Sequence, residues 1–306
     1  MKVRTLITLF AALLLLTCFA ACKKSLDAYN ATGNGIKDST GTAIKTDTVA
    51  ISYPQRTITG CPDAPNYGDS IIFLQSSTTD YIVTPINHPD TGTYFAWPQG
   101  MVIDMNTGAI NVTKSEGGLR YNIGYVKKGT SDTCLQTMIL AGVSYEDSLY
   151  VINSNQYYAQ PYFDADPNLT SICNSSNGPG GNTCAFDVNG QAASQHVIID
   201  HNTGVIDIRR TANLAFGLIP LNGTTVTTTM AYELNDNSNM APQKITLQFV
   251  YYNKKSDVPA ALLSLVTDKL TKVLNELLLI NLPGSSSQQR TGNPRPPIII
   301  VTRSAL

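Results

Sequence analysis

The sequence predicts a mainly β protein: two tandem antiparallel sandwiches, then a C-terminal amphipathic helix and a terminal strand. Three observations carry this. Short β-branched and aromatic runs recur roughly every 8 to 15 residues between Gly, Pro, Asn and Asp, a rhythm of antiparallel sheet rather than of strand–helix–strand units. One segment occurs twice, 96 residues apart from Asp104 to Asp200. Four cysteines in the body suit a pair of disulfides.

The N-terminal end is read first. Lys2 and Arg4 form a positive flank, an apolar run covers Leu6 to Leu16, and Phe19-Ala20-Ala21-Cys22 follows, which together make a secretory leader over 1–21. From Leu6 to Ala21 the stretch is about 16 residues, short of the roughly 20 a spanning helix needs, so a retained anchor is the weaker reading. The cut site resembles a bacterial lipobox, with Phe19 where Leu is commonest. Cys18 competes, but Thr17 precedes it where Gly or Ala is preferred, so Cys22 is taken as the lipidated residue. The resemblance implies a thioether-linked diacylglycerol on that sulfur and an acyl chain on the new amino terminus. Two or three chains hold a protein on a membrane, at about 0.8 kcal/mol per buried methylene. Ordinary cleavage with release of a free protein is the alternative. Residues 22–48 are rich in Lys, Ser, Asp, Thr, Gly and Asn without apolar periodicity, a flexible tether. Cys-Lys-Lys-Ser-Leu-Asp before such a spacer resembles lipoproteins of the Bacteroidota. The expected location is therefore the outer membrane, lipid-anchored, on its periplasmic or cell-surface face.

Charge excludes one class of partner. Charged residues make up 14% of the chain, 21 basic against 22 acidic, and removing Lys2 and Arg4 with the leader leaves 19 against 22. No nucleic-acid footprint is expected, since that needs a clustered basic face. Of the body cysteines, Cys173 and Cys184 enclose a Gly- and Asn-rich loop and are expected to pair, leaving Cys61 with Cys134. No Cys-x-x-Cys occurs and His is scarce, so staples are preferred to a metal site.

The repeat organises the body. Val102-Ile103-Asp104-Met105-Asn106-Thr107-Gly108-Ala109-Ile110-Asn111-Val112 recurs as Ile198-Ile199-Asp200-His201-Asn202-Thr203-Gly204-Val205-Ile206-Asp207-Ile208. A β-branched run enters, Asp accepts a backbone N–H, Asn and Gly tolerate positive φ, and an alternating run leaves: a tight hairpin. Strand-like runs flank the first copy at Ser70–Leu74, Tyr81–Thr84, Tyr121–Val126 and Leu135–Val143. Around the second they lie at Ser148–Ile152, Ala185–Val188, Thr224–Leu234 and Lys244–Tyr252. The hydrophobic-Asp-x-x-Thr-Gly-x-Ile hairpin before a long strand pair resembles the cadherin-like and immunoglobulin-like modules of bacterial surface proteins, in two copies from about Val49 to Tyr252. The resemblance implies two such sandwiches, over 49–145 and 146–256. Cadherin calcium ligands are not expected with it. Glu233-Leu-Asn-Asp-Asn237 lies between two strand-like runs of one unit and reads as a polar hairpin loop, and Asp164 and Asp166 read as a surface turn.

Beyond Tyr252, Asp257 and Pro259 signal a helix start, and Leu262, Val266, Leu270, Val273, Leu274 and Leu277 form an apolar stripe. An amphipathic helix is expected over 257–282, ended by Pro283-Gly284. It either packs on the second sandwich or docks in a partner's groove. Within 283–306, a linker leads to Ile298-Ile299-Ile300-Val301-Thr302, a strand expected to add to an edge of its own domain.

Little chemistry stands out. His88, His196 and His201 are the only histidines, and neither Gly-x-Ser-x-Gly nor a phosphate-cradling loop occurs. The chain is read as no enzyme, with no cofactor and no metal. Tyr157, Tyr158, Tyr162 and Phe163 concentrate rings suited to stacking on sugars or anchoring an interface, with core packing as the alternative. Trp97 is expected to be buried. The function expected is a structural, adhesive or partner-binding module. The alternative is a glycan-binding accessory lipoprotein of a polysaccharide-uptake system.

Overall fold

The computed structural model describes residues 56–58, 61–87, 91–97, 100–130, 132–166, 169, 171–174, 184–267 and 296–305. The leader, Cys22, the tether, His88 and most of the expected C-terminal helix lie outside the described residues. No helix among those described is long and apolar enough to cross a membrane.

The protein is mainly β, in two halves with one plan. In the first, β6 (Leu119–Lys127) and β7 (Asp132–Leu140) form a long antiparallel hairpin. β4 (Gly92–Trp97) flanks β6, while β1 (Arg56–Ile58) and β2 (Ile71–Ile72) pair with β7. The small pair β3 (Ile82–Val83) and β5 (Ile110–Asn111) packs against this sheet, burying Tyr67, Ile72, Ile110, Tyr121, Ile123, Met138 and Leu140. In the second half, β14 (Thr224–Glu233) and β15 (Gln243–Lys254) make the long hairpin of a five-stranded sheet ordered β12 (Ala185–Phe186), β14, β15, β16 (Ile298–Ser304) and β9 (Ser148–Val151). Its inner face is covered by β8 (Val143–Tyr145) with β11 (Pro161–Phe163), by β10 (Tyr158–Ala159) with β13 (Ile206–Asp207), and by helices α1 (Gln191–Ser194) and α2 (Ile208–Leu214). Disulfides Cys61–Cys134 and Cys173–Cys184 staple the two halves, one each, with Cα separations of 5.6 and 5.2 Å.

Both repeat copies are hairpins with the same wiring. The N–H groups of Asp104 and Asp200 donate to the carbonyls of Ala109 and Val205, and the turn glycines donate back. Each Asp Oδ1 accepts the next two N–H groups but one, at 2.8–3.0 Å, and these bonds hold both carboxyls below the usual carboxylate range. The repeat also shares a feature hidden in one dimension: a buried tyrosine hydroxyl reaches each turn glycine's carbonyl, Tyr67 to Gly108 at 2.7 Å and Tyr145 to Gly204 at 2.6 Å. An aromatic ring packs against each glycine, Tyr94 at Gly108 and Phe186 at Gly204. A Cβ on Gly204 would stand 2.6 Å from the Phe186 ring, which is itself buried and stacked on Tyr232, and φ there is +73°. Gly204→Ala is therefore expected to cost about 2–4 kcal/mol, since neither backbone nor ring can yield. Gly190→Ala, at φ +64° with open space, should cost only about 1 kcal/mol. Denaturant midpoints of the two variants check the difference.

Several expectations are corrected. The sheets are not antiparallel throughout: β1 and β2 run parallel to β7, and β16 runs parallel to both neighbours. The terminal strand does not add at an edge; it inserts between β15 and β9. β15, the helix over 260–267 and β16 thus make a crossover connection of the kind the strand rhythm argued against. Leu262 and Val266 of that helix pack on Val250, Tyr252, Ile298 and Ile300, so its described part is internal. β16 presents Ile299 and Val301 to one core and Ile298 and Ile300 to the other, and the buried Asp147 carboxylate accepts its first N–H at 2.7 Å. The run Leu135–Val143 breaks at Gly142. Beyond it, Val143 and Tyr145 pack in the second half's core.

Candidate functional site

The expected tyrosine cluster splits. Tyr158 opens β10, the partner of β13, and Tyr157 precedes it; both reach the surface, Tyr158 with 58% of its area exposed. Their rings meet edge to face at 6.5 Å, the Tyr157 hydroxyl donates to Asn155 Oδ1 at 2.7 Å, and the Arg209 guanidinium lies 5.3 Å over the Tyr157 ring. A ring braced from two sides loses little entropy when it binds. Tyr162 is half-buried, on β11. Phe163 is fully buried beside Val143 and Tyr145, because β11 pairs with β8 and turns that ring inward; its expected ligand contact is corrected to a core role.

A second aromatic group was missed. On β4, Phe95 and Trp97 share a face at i and i+2 and stack at 5.6 Å with an interplanar angle of 18°, both partly exposed. Trp97 is thus not buried as expected. The shelf exists because residue 124, opposite Phe95, is glycine: a Cβ there would lie 2.5 Å from the ring. The sequence signal was available in Tyr94-Phe95-Ala96-Trp97, a short aromatic-rich apolar run of the kind strands favour.

At the contact between the halves, Gly142 is the tight point. Its N–H donates to Asp164 Oδ1 at 3.0 Å, the Asp164 N–H returns to its carbonyl, and the Val143 N–H donates to the Tyr232 hydroxyl, which donates to Gln243 Oε1. Asp164 is no simple surface turn residue. Burial raises its carboxyl above the ordinary value, and Asp236 adds repulsion; burial likewise raises Asp236. For acids with raised folded-state pKa values, stability is fully present at low pH and falls as pH rises through those values. Asp236→Asn is therefore expected to raise the urea midpoint at neutral pH and to flatten that part of the pH dependence. A midpoint-versus-pH series on both proteins checks the sign.

Catalytic candidates do not assemble. His201 Nδ1 lies 2.7 Å from the Phe186 carbonyl and must carry its proton there, and His196 is exposed in a turn after α1. Among the described residues, no three His, Cys, Asp or Glu side chains come together as a metal-binding set.

No protein-family model and no curated protein matches the chain. Solved structures similar to it include a human protocadherin-24 fragment, "EC1-2", at 8% identity over 61% of this chain and 97% of that one, with a TM-score of 0.19. The zebrafish "RET Cadherin Like Domains 1 to 4" align at 11% identity over 67% of this chain, with a TM-score of 0.18; the chain spans 48% of that one. Likenesses this slight bear on nothing beyond themselves. The fold class, a mainly β protein of tandem disulfide-stapled halves, rests on the strands described above.

Proposed function

We propose that the chain is an extracytoplasmic lipoprotein, anchored through Cys22 to the outer membrane, that serves as a structural, adhesive or partner-binding module without catalysis. The observation that supports it best is one disulfide in each half, because such bridges persist in oxidising compartments, in keeping with the leader expected over 1–21. The two-half body would stand off the membrane on the 22–48 tether and present its loops. Crosslinking on intact cells, followed by pull-down of the full-length protein, tests this: a surface protein should be captured in stoichiometric yield. A captured soluble cytoplasmic protein would contradict it.

The glycan-binding reading has its own support in the Tyr157–Tyr158–Arg209 group and the Phe95–Trp97 shelf. Sugar stacking on exposed rings needs no built pocket. On a polysaccharide array, selective binding lost in Tyr158→Ala or Trp97→Ala would favour this reading over the purely structural one. Unaltered binding in both variants would sink it.

A further inference from the structure

The loop from Gly217 to Leu221 has the most exposed apolar side chains of the described residues. Leu218, Ile219 and Leu221 are 101%, 85% and 66% exposed, and Leu214, at the end of α2, is 50% exposed. The projection is built. Gly217 and Gly223 bracket the loop at φ +81° and +83°, Pro220 stiffens it, and Phe216 roots it by packing on Tyr251 at 5.4 Å. At its other root, the Gly223 N–H donates to the Tyr251 carbonyl and the Asn253 N–H to Asn222 Oδ1.

Strand register shows what surrounds the tip. Tyr251 pairs with Thr224, and Lys254 with Ser304, so the ends of β15 and β16 lie beside the loop's base. Lys254, Lys255 and Arg303 are exposed there, and Arg209 and Arg210 are exposed on the helix that leads into the loop. None of the five forms a salt bridge to a described residue. Two carboxylates are near: Asp207 accepts the Arg210 N–H, and Asp257 accepts from Asn222. The result is an exposed aliphatic tip with Lys254, Lys255 and Arg303 at its base, while Arg209, which lies over Tyr157, and Arg210 stand at the far end of α2.

We propose that this tip inserts into the interfacial layer of an anionic phospholipid bilayer, seating the second half on a membrane surface. Size decides against a protein partner: a stable protein interface needs about 1,200 Å² or more of matched surface, which a single protruding loop does not offer. A bilayer moulds itself to a wedge. Aliphatic side chains then enter the acyl boundary while the cations stay level with the phosphates. The inference does not depend on the leader or on Cys22.

The test uses the full chain with an environment-sensitive fluorophore on Ile219→Cys, mixed with vesicles of phosphatidylcholine containing about one quarter phosphatidylglycerol. A matched label on Thr107→Cys, in the exposed turn of the first half, reports mere tethering. The proposal expects a blue shift, and quenching by brominated acyl chains, at position 219 but not at 107. It also expects both to fall at least about tenfold when Lys254→Glu and Lys255→Glu are added. Equal quenching at the two positions overturns it. So does a shift on neutral phosphatidylcholine as large as on the anionic mixture. A shift without vesicles that grows with protein concentration would assign the tip to a second copy of this chain and overturn it as well.

Discussion

Ending the chain after Pro297 is expected to leave the second half without a native fold while the first half stays intact. β16 lies between β15 and β9, and Ile298, Ile299, Ile300 and Val301 are all fully buried. At about 1.5–3 kcal/mol for each fully buried aliphatic side chain, their loss removes roughly 6–12 kcal/mol, comparable with the whole stability of a domain. The strand also ties the edge: without it, β9 loses its only sheet partner among the described residues, and the helix over 260–267 loses Ile298 and Ile300 beneath it. Near-UV circular dichroism and limited proteolysis should show a digested second half beside a protected first half. Ile300→Asp in the full-length chain should give the same pattern, because an unpaired charge replaces an apolar contact between two layers. A truncated chain that keeps a cooperative second-half transition would contradict the role assigned to this strand.

The second large effect concerns Cys61–Cys134. The bridge spans 73 residues and ties the entry of the chain to β7. In the loop-closure account it removes about 4 kcal/mol of denatured-state freedom, against about 3 kcal/mol for Cys173–Cys184, which spans 11. Cys61→Ser with Cys134→Ser should lower the urea midpoint of the first half by about 2 M at a slope near 2 kcal/mol per molar. It should leave the second half's transition in place. Equal losses from the two double variants would show that strain or contacts, not loop length, set the contribution.

What could be read from the residues follows locality. The repeat hairpin carries its own turn chemistry in Asp104, Asn106 and Gly108, and the long runs Tyr121–Val126 and Thr224–Leu234 alternate strongly enough to show as strands. The cysteine pairing followed from one short Gly-rich loop. Non-local choices were hidden. Nothing in Ile298–Thr302 says whether the strand takes an edge or the centre; the answer depends on Asp147 and on both faces being covered. The same holds for the aromatic groups: Phe163 is buried because of its pairing with β8, whereas Trp97 stays partly exposed and stacks on Phe95, whose ring lies over Gly124. Composition cannot tell these rings apart. The apolar run Leu218-Ile219-Pro220-Leu221 carries no motif in the sequence, and only its exposure in the fold gives it a role.

Mass spectrometry of the protein purified from its own cells tests export and anchoring most directly. The account predicts an amino-terminal peptide beginning at a diacylglyceryl-modified Cys22, together with linked peptides joining Cys61 to Cys134 and Cys173 to Cys184. A peptide that retains Lys2 and Arg4, or alkylation of those four thiols without prior reduction, would contradict it.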